Sequence, residues 1–184
     1  MQPAQRRLEA LITLVGLPGS GKSTVGRQLA RRLGLSFTDS DHVIEQRIGC
    51  SIRSFFEREG EEAFRDIEEE VIRKLTQGPP GVLATGGGAV LRPANRQTLR
   101  EAGSVIYLRS TPEEVFRRTR HDGNRPLLRV ADPLQRLRDL YAERDPLYRE
   151  TAQFVIETGR PSVATLVNMI LMQLELAGVI PQRP

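Results

Sequence analysis

The chain has 184 residues, 39% of them apolar and 27% charged with both signs interspersed, which suits one well-buried domain spanning residues 1–184 and excludes a disordered chain. The net charge of +4 comes largely from arginine, with Arg31, Arg32, Arg117, Arg118, Arg120, Arg125, Arg129, Arg136, Arg138, Arg144 and Arg149 crowded into two regions. A single cysteine, Cys50, excludes an intrachain disulfide and reads as a small helix residue, while His42 and His121 lack partners at the spacing of a zinc site.

No aromatic residues interleave with the arginines and there is no Trp, so nucleic acid is not an expected partner. The first apolar stretch, Ala10 to Val15, is too short for a signal-peptide core or a membrane span. The expectation is a cytoplasmic monomer that acts on small molecules and meets no membrane.

In chain order, the continuous apolar run "LITLV" at 11–15 reads as a first strand, followed by "GLPGSGKST" and a helix over 22–33. A second strand reads at 35–39, a long helix at 51–77, a third strand at 81–85 and a helix at 93–102. Then come a strand at 104–109, helices at 112–120 and 133–144, a strand at 154–158 and a helix at 162–176. Pro93, Pro112 and Pro133 suit first-turn positions, where the missing N–H costs nothing. In the last helix Val163, Leu166, Val167, Ile170, Leu171 and Leu174 follow the three-four spacing of one buried face. The tail "GVIPQRP" has no evident role. Strands that are apolar without alternation are covered on both faces, so the pattern predicts a three-layer α/β domain around a parallel sheet.

Gly16, Gly21, Lys22 and Ser23 fit G-x-x-x-x-G-K-[ST], with a strand before and a helix after. Glycines let successive N–H groups approach phosphate oxygens, and the following helix adds its positive end. A nucleoside triphosphate is the expected ligand, with Lys22 reaching the β- and γ-phosphates and the Ser23 hydroxyl on Mg2+. The motif by itself does not separate a kinase from a GTPase, a regulatory ATPase or a motor. Asp39 and Asp41 alternate at the carboxyl end of the second strand, the edge where open parallel sheets bind ligands, although both could simply cap the next helix. At the same edge "TGGGAV" exposes the backbone of Gly86, Gly87 and Gly88. Phe64, Arg65 and Glu68 share one helical side.

Taken together and in this order, "GLPGSGKST", "DSD", "GEEAFRDIEEE", "LATGGGAV", "NRPLL" and "ERDPLY" closely resemble the shikimate kinase family of nucleoside-monophosphate-kinase-like P-loop enzymes, over roughly residues 10–175. The resemblance implies a P-loop kinase fold with a five-stranded parallel sheet in the order 2-3-1-4-5. It also implies a substrate-binding segment matching 39–64 and a mobile lid matching 119–132, with the phosphate loop at 16–24. It implies ATP and shikimate as substrates, Mg2+ as cofactor and phosphorylation of the shikimate 3-hydroxyl, within aromatic amino acid biosynthesis.

The matched positions give expected roles. Gly19, Ser20, Gly21, Lys22, Ser23 and Thr24 would hold the phosphates, with Arg118 and Pro161 flanking adenine. Ser23 and Asp39 would hold Mg2+, Asp39 through water. Asp41 would contact the acceptor hydroxyls and help accept the proton. Arg65 and Arg144 would clamp the carboxylate beside Gly86, Gly87 and Gly88, and Arg125 would meet the transferring phosphate. The third strand ends without the acid of a generic Walker B strand, a gap that Asp39 would fill. Two rivals remain at this point: another small-molecule kinase of the group, such as a gluconate kinase, and a regulatory module that keeps the fold.

Overall fold

The structure, a computed structural model, describes residues 10–121 and 130–182. Arg125 and residues 122–129 of the expected lid lie outside the described residues.

Five strands form one parallel sheet: β1 (Leu11–Val15), β2 (Phe37–Asp39), β3 (Val82–Ala84), β4 (Gly103–Arg109) and β5 (Phe154–Glu157). Their order is β2-β3-β1-β4-β5, as the resemblance implied. In β1, Ile12 and Leu14 face one apolar layer and Val15 the other; in β4, Ile106 and Leu108 oppose Val105 and Tyr107 in the same way. Sheet strands with both faces buried need no polar alternation, which is why their sequences read as continuous apolar runs.

Helix α1 (Lys22–Leu33) and α8 (Val163–Leu176) cover one face, with Val25, Leu29, Ile170 and Leu174 completing its core. Helices α5 (Pro93–Ala102), α6 (Pro112–Thr119) and α7 (Pro133–Thr151) contribute Leu99, Val115, Leu137, Leu140 and Tyr148 to the core on the other face. Pro93, Pro112 and Pro133 all occupy the first turn of their helices. Each strand therefore passes its chain across to a helix and back, and all five carboxyl ends meet at one edge.

Several boundaries differ from the sequence reading. The second strand is shorter than 35–39, because Gly34 takes a left-handed conformation (φ 65°) and Leu35 N–H still bonds the carbonyl of Ala30 at 2.9 Å, extending the helix cap. Residues 40–48 form a helix, α2 (Ser40–Ile48), which weak amphipathic patterning concealed. The single helix read over 51–77 is two, α3 (Ile52–Glu59) and α4 (Glu61–Thr76), broken at Gly60 with φ 88°. Together α2, α3 and α4 enclose a satellite core of Ile44, Phe55, Phe64 and Val71. Cys50 lies in the turn between α2 and α3 rather than in a helix.

Helix α7 continues seven residues past the reading that ended it at Arg144, carrying Pro146 in its interior. The missing backbone bond is offset by burial of Tyr148 and Thr151 beyond it, and Arg149 pairs with Asp145 across the proline at 3.0 Å. The tail also finds a role. Gly178 turns left-handed, Ile180 N–H reaches back to the Leu174 carbonyl at 3.4 Å, and the Ile180 side chain closes the core under α8. Among the described residues no helix is long and apolar enough to cross a membrane.

Candidate active site

Residues 16–21 leave β1 and wrap into the start of α1, where Gly21 caps the helix with φ 94°, a conformation open to glycine but strained for other residues. Its side-chain cap is missing, so the first N–H groups of α1 face outward into a cavity of about 250 Å3. Gly19, Gly21, Lys22, Ser23 and Thr24 line that cavity together with Asp39 and Asp41. Lys22 is 8% exposed, and its ammonium group curls over the loop to donate to the carbonyls of Gly16 and Leu17, both at 2.8 Å. The arrangement concentrates positive charge and inward N–H groups at one point, the requirement for gripping a polyphosphate.

The two carboxylate oxygens of Asp39 divide between two partners. One carboxylate oxygen accepts from the Asp41 backbone N–H at 3.0 Å and caps α2; the other accepts from the Ser23 hydroxyl at 2.6 Å. A hydroxyl and a carboxylate are thereby brought together beside the phosphate cradle, a hard-oxygen donor set suited to Mg2+. Arg118 is placed on the far side of the loop, donating to the Ser20 carbonyl at 3.2 Å and to the Thr158 hydroxyl at 3.1 Å. It thus ties the loop to the end of β5, just ahead of the half-buried Pro161.

A second, larger cleft of about 710 Å3 opens on the other side of Asp41, between α2, α3, α4 and α7. It is lined by Asp41, Arg65, Gly86, Gly87, Gly88 and Arg144, so the structure gathers into one wall residues as far apart in the chain as Asp41 and Arg144. The Arg65 guanidinium stands over the rings of Phe56 (5.9 Å) and Phe64 (5.2 Å) and is 12% exposed. The Nε of Arg65 and that of Arg144 are both buried with no hydrogen-bond partner among the described residues. Two guanidinium groups facing one cleft form a fork for a carboxylate or phosphate.

The glycines are explained by proximity. A Cβ on Gly86 would sit 2.5 Å from the Asp41 carboxylate, one on Gly87 would sit 2.5 Å from the Pro18 ring, and one on Gly88 would overlap the Arg65 guanidinium. Backbone must approach each of these side chains closely, and only glycine permits it. Replacing Gly88 with Ala should therefore push Arg65 aside. With Arg65 gripping a substrate carboxylate as the resemblance implies, and one misplaced ångström in a positioning group costing up to about a hundredfold, the KM of that substrate should rise at least roughly tenfold. Initial-rate kinetics with each substrate varied in turn check this, and an equal rise for the nucleotide would refute the assignment.

Asp41 is the group whose chemistry is most altered by its surroundings. Burial, and then the neighbouring charges of Asp39 and Glu68, raise its pKa from 3.8 to about 6, against the opposing pull of Lys22. A carboxylate so placed is a stronger base than an exposed one and is still ionised at neutral pH.

Glu68 and Tyr148 received no role from the sequence. Glu68 is 1% exposed and accepts from Arg65 Nη1 at 2.8 Å, with burial raising its pKa and Arg65 lowering it. Its position one turn after Arg65 was the available signal. Tyr148 donates to the Gly87 carbonyl at 2.6 Å, a contact across the chain for which the sequence held no signal.

A family model described as shikimate kinase matches residues 18–175. A shikimate kinase of Paracidovorax citrulli is 68% identical over 94% of this chain and 96% of its own length, and one of Ralstonia nicotianae is 60% identical over 92% and 89%. A solved structure of shikimate kinase from Acinetobacter baumannii in complex with shikimate superimposes with a TM-score of 0.88 at 48% identity, covering 94% of this chain and 96% of that one.

Proposed function

The chain belongs to the shikimate kinase family, and from that premise we propose that it transfers the γ-phosphoryl group of ATP to the 3-hydroxyl of shikimate, releasing ADP and shikimate 3-phosphate in the route to aromatic amino acids. The observation that carries this reading is that Asp41 lines both cavities, the phosphate cradle and the arginine-walled cleft, together with Pro18, Gly86 and Gly87. A base at the junction of a triphosphate site and a polyol-acid site stands where an acceptor hydroxyl must be activated.

Arg65 and Arg144 hold the acceptor carboxylate from the wall of the cleft, and Gly86, Gly87 and Gly88 leave room for its ring. That grip directs a ring hydroxyl toward Asp41. As the oxygen attacks the γ-phosphorus, its proton passes to the Asp41 carboxylate and the bond from the γ-phosphorus to the bridging oxygen breaks, leaving ADP. Lys22 follows the β- and γ-phosphates, the loop N–H groups and Thr24 hold the rest of the chain of phosphates, and Arg118 with Pro161 borders the adenine. Ser23 and, through water, Asp39 would hold Mg2+, which would supply neutralisation of phosphate charge. Arg125 meets the transferring group from the segment outside the described residues. Positioning and charge neutralisation account for most of the acceleration of phosphoryl transfer, which is why so many of these groups are cationic. We place the enzyme in the cytoplasm as a monomer.

The test is ADP release with and without shikimate, which identifies reaction and acceptor together. Replacing Arg65 or Arg144 with Ala should raise the KM for shikimate roughly 10- to 100-fold, since a charge-assisted bond contributes about 1.5–3 kcal/mol. An acceptor with a neutral group in place of the carboxylate should be poor for the parent enzyme and lose little more in either variant. Equal losses on both acceptors would mean that the arginines support the fold or the nucleotide instead.

A further inference from the structure

Tyr148 is fully buried, yet its hydroxyl ties the helix that carries Arg144 to the glycine turn, two parts of the acceptor site that come from distant stretches of chain. It lies one helical turn after Arg144 on α7 and donates its only proton to the Gly87 carbonyl at 2.6 Å, so the bond has a fixed direction. The ring is itself held: it packs on Tyr107 with centroids 4.9 Å apart, and the Tyr107 hydroxyl donates to Asp145 at 2.8 Å. Burial pushes the Tyr148 hydroxyl well above its ordinary pKa, so the donor persists at any pH the enzyme meets. On its other side Gly87 lies against the Pro18 ring of the phosphate loop, so close that a Cβ there would stand 2.5 Å from it.

We propose that Tyr148 is a positioning residue for the acceptor: its hydroxyl ties α7, and Arg144 with it, in register with the glycine turn, so that the carboxylate grip and the wall of the ring pocket are set as one unit. The proposal rests on the reading of Arg144 as a carboxylate ligand. Without the hydroxyl, Arg144 keeps its charge but its helix loses the tie to the glycine turn, so the guanidinium is placed less exactly, and the Gly87 carbonyl loses its donor. The ring packing survives in phenylalanine.

In Tyr148→Phe the KM for shikimate should rise about tenfold, within the range of up to about a hundredfold that one misplaced ångström in a positioning group costs, while the KM for ATP stays within twofold of the parent. The acceptor lacking a carboxylate should be affected less than twofold. Combined with Arg144→Ala, the two losses should be less than additive, because the hydroxyl acts through the placing of Arg144. An unchanged KM for shikimate, equal rises for both substrates, or strict additivity overturns the proposal. A second measurement needs no substitution. The chain has three tyrosines, so ring-carbon labelling gives three assignable lines. The Tyr148 line should move when shikimate binds and stay when the neutral analogue binds; a line indifferent to shikimate also overturns it. Turnover of shikimate by the parent enzyme decides the underlying functional reading separately, so failure of the one is not mistaken for failure of the other.

Discussion

Replacing Asp41 with Asn should lower kcat at least about 10²-fold, the usual size of a lost general base, with nucleotide affinity nearly unchanged. Asn keeps the shape and can still meet a hydroxyl, but it cannot take up the proton. In the parent, kcat/KM should fall as pH drops through about 6, where the raised pKa of Asp41 lies, and this acidic limb should be missing from the variant. Stability should move the opposite way. A carboxyl whose pKa is 3.8 unfolded and about 6 folded favours the folded state below the lower value, and that contribution is lost as pH rises through the upper one. Asp41→Asn, which bears no charge to bury, should accordingly melt at a higher temperature than the parent above pH about 7, and the gap should close below pH about 4. A pH series of kinetics and melting curves reads both. Near-normal turnover would reduce Asp41 to a helix-cap neighbour, and a variant less stable than the parent at neutral pH would contradict the buried-charge account.

Replacing Arg125 with Ala should lower kcat about 10³-fold while changing nucleotide affinity much less, because an arginine that meets phosphoryl charge as it develops acts mainly in the transition state. Lys at this position should restore only part of the rate, a point charge being unable to make the two-pronged contact. Single-turnover transfer and nucleotide binding, measured side by side, separate the cases. Unchanged transfer would remove Arg125 from the mechanism, and equal losses in binding and transfer would make it a ground-state ligand of ATP.

Asp39 shows how sequence and structure divide the account. Its place after a strand and two residues before another acid suggested either ligand binding or a helix cap; the folded contacts show the cap, on the Asp41 N–H, and set the other oxygen against the Ser23 hydroxyl, a pairing that only the fold brings about. Arg65 is similar. Its match to a carboxylate clamp was legible, but the two phenyl rings under it, and Glu68 holding it, come from the packing of α3 and α4.

By itself the sequence determined what depends on neighbours along the chain: the five parallel strands, the phosphate loop with its glycines and lysine, and the proline-led helices. Those signals are local, since turn geometry, helix starts and apolar runs are set within a few residues. It left to the tertiary structure whatever depends on residues far apart. The continuation of α7 through Pro146 was decided by which face found a core, overriding local preference, whereas the break at Gly60 follows a local glycine signal that the reading of one long helix passed over. The necessity of three glycines was decided by the side chains of Asp41, Pro18 and Arg65, which arrive against them from other elements. Tyr148 was decided in the same way, because a buried hydroxyl can be assigned a partner only when the chain is folded and its proton meets the Gly87 carbonyl.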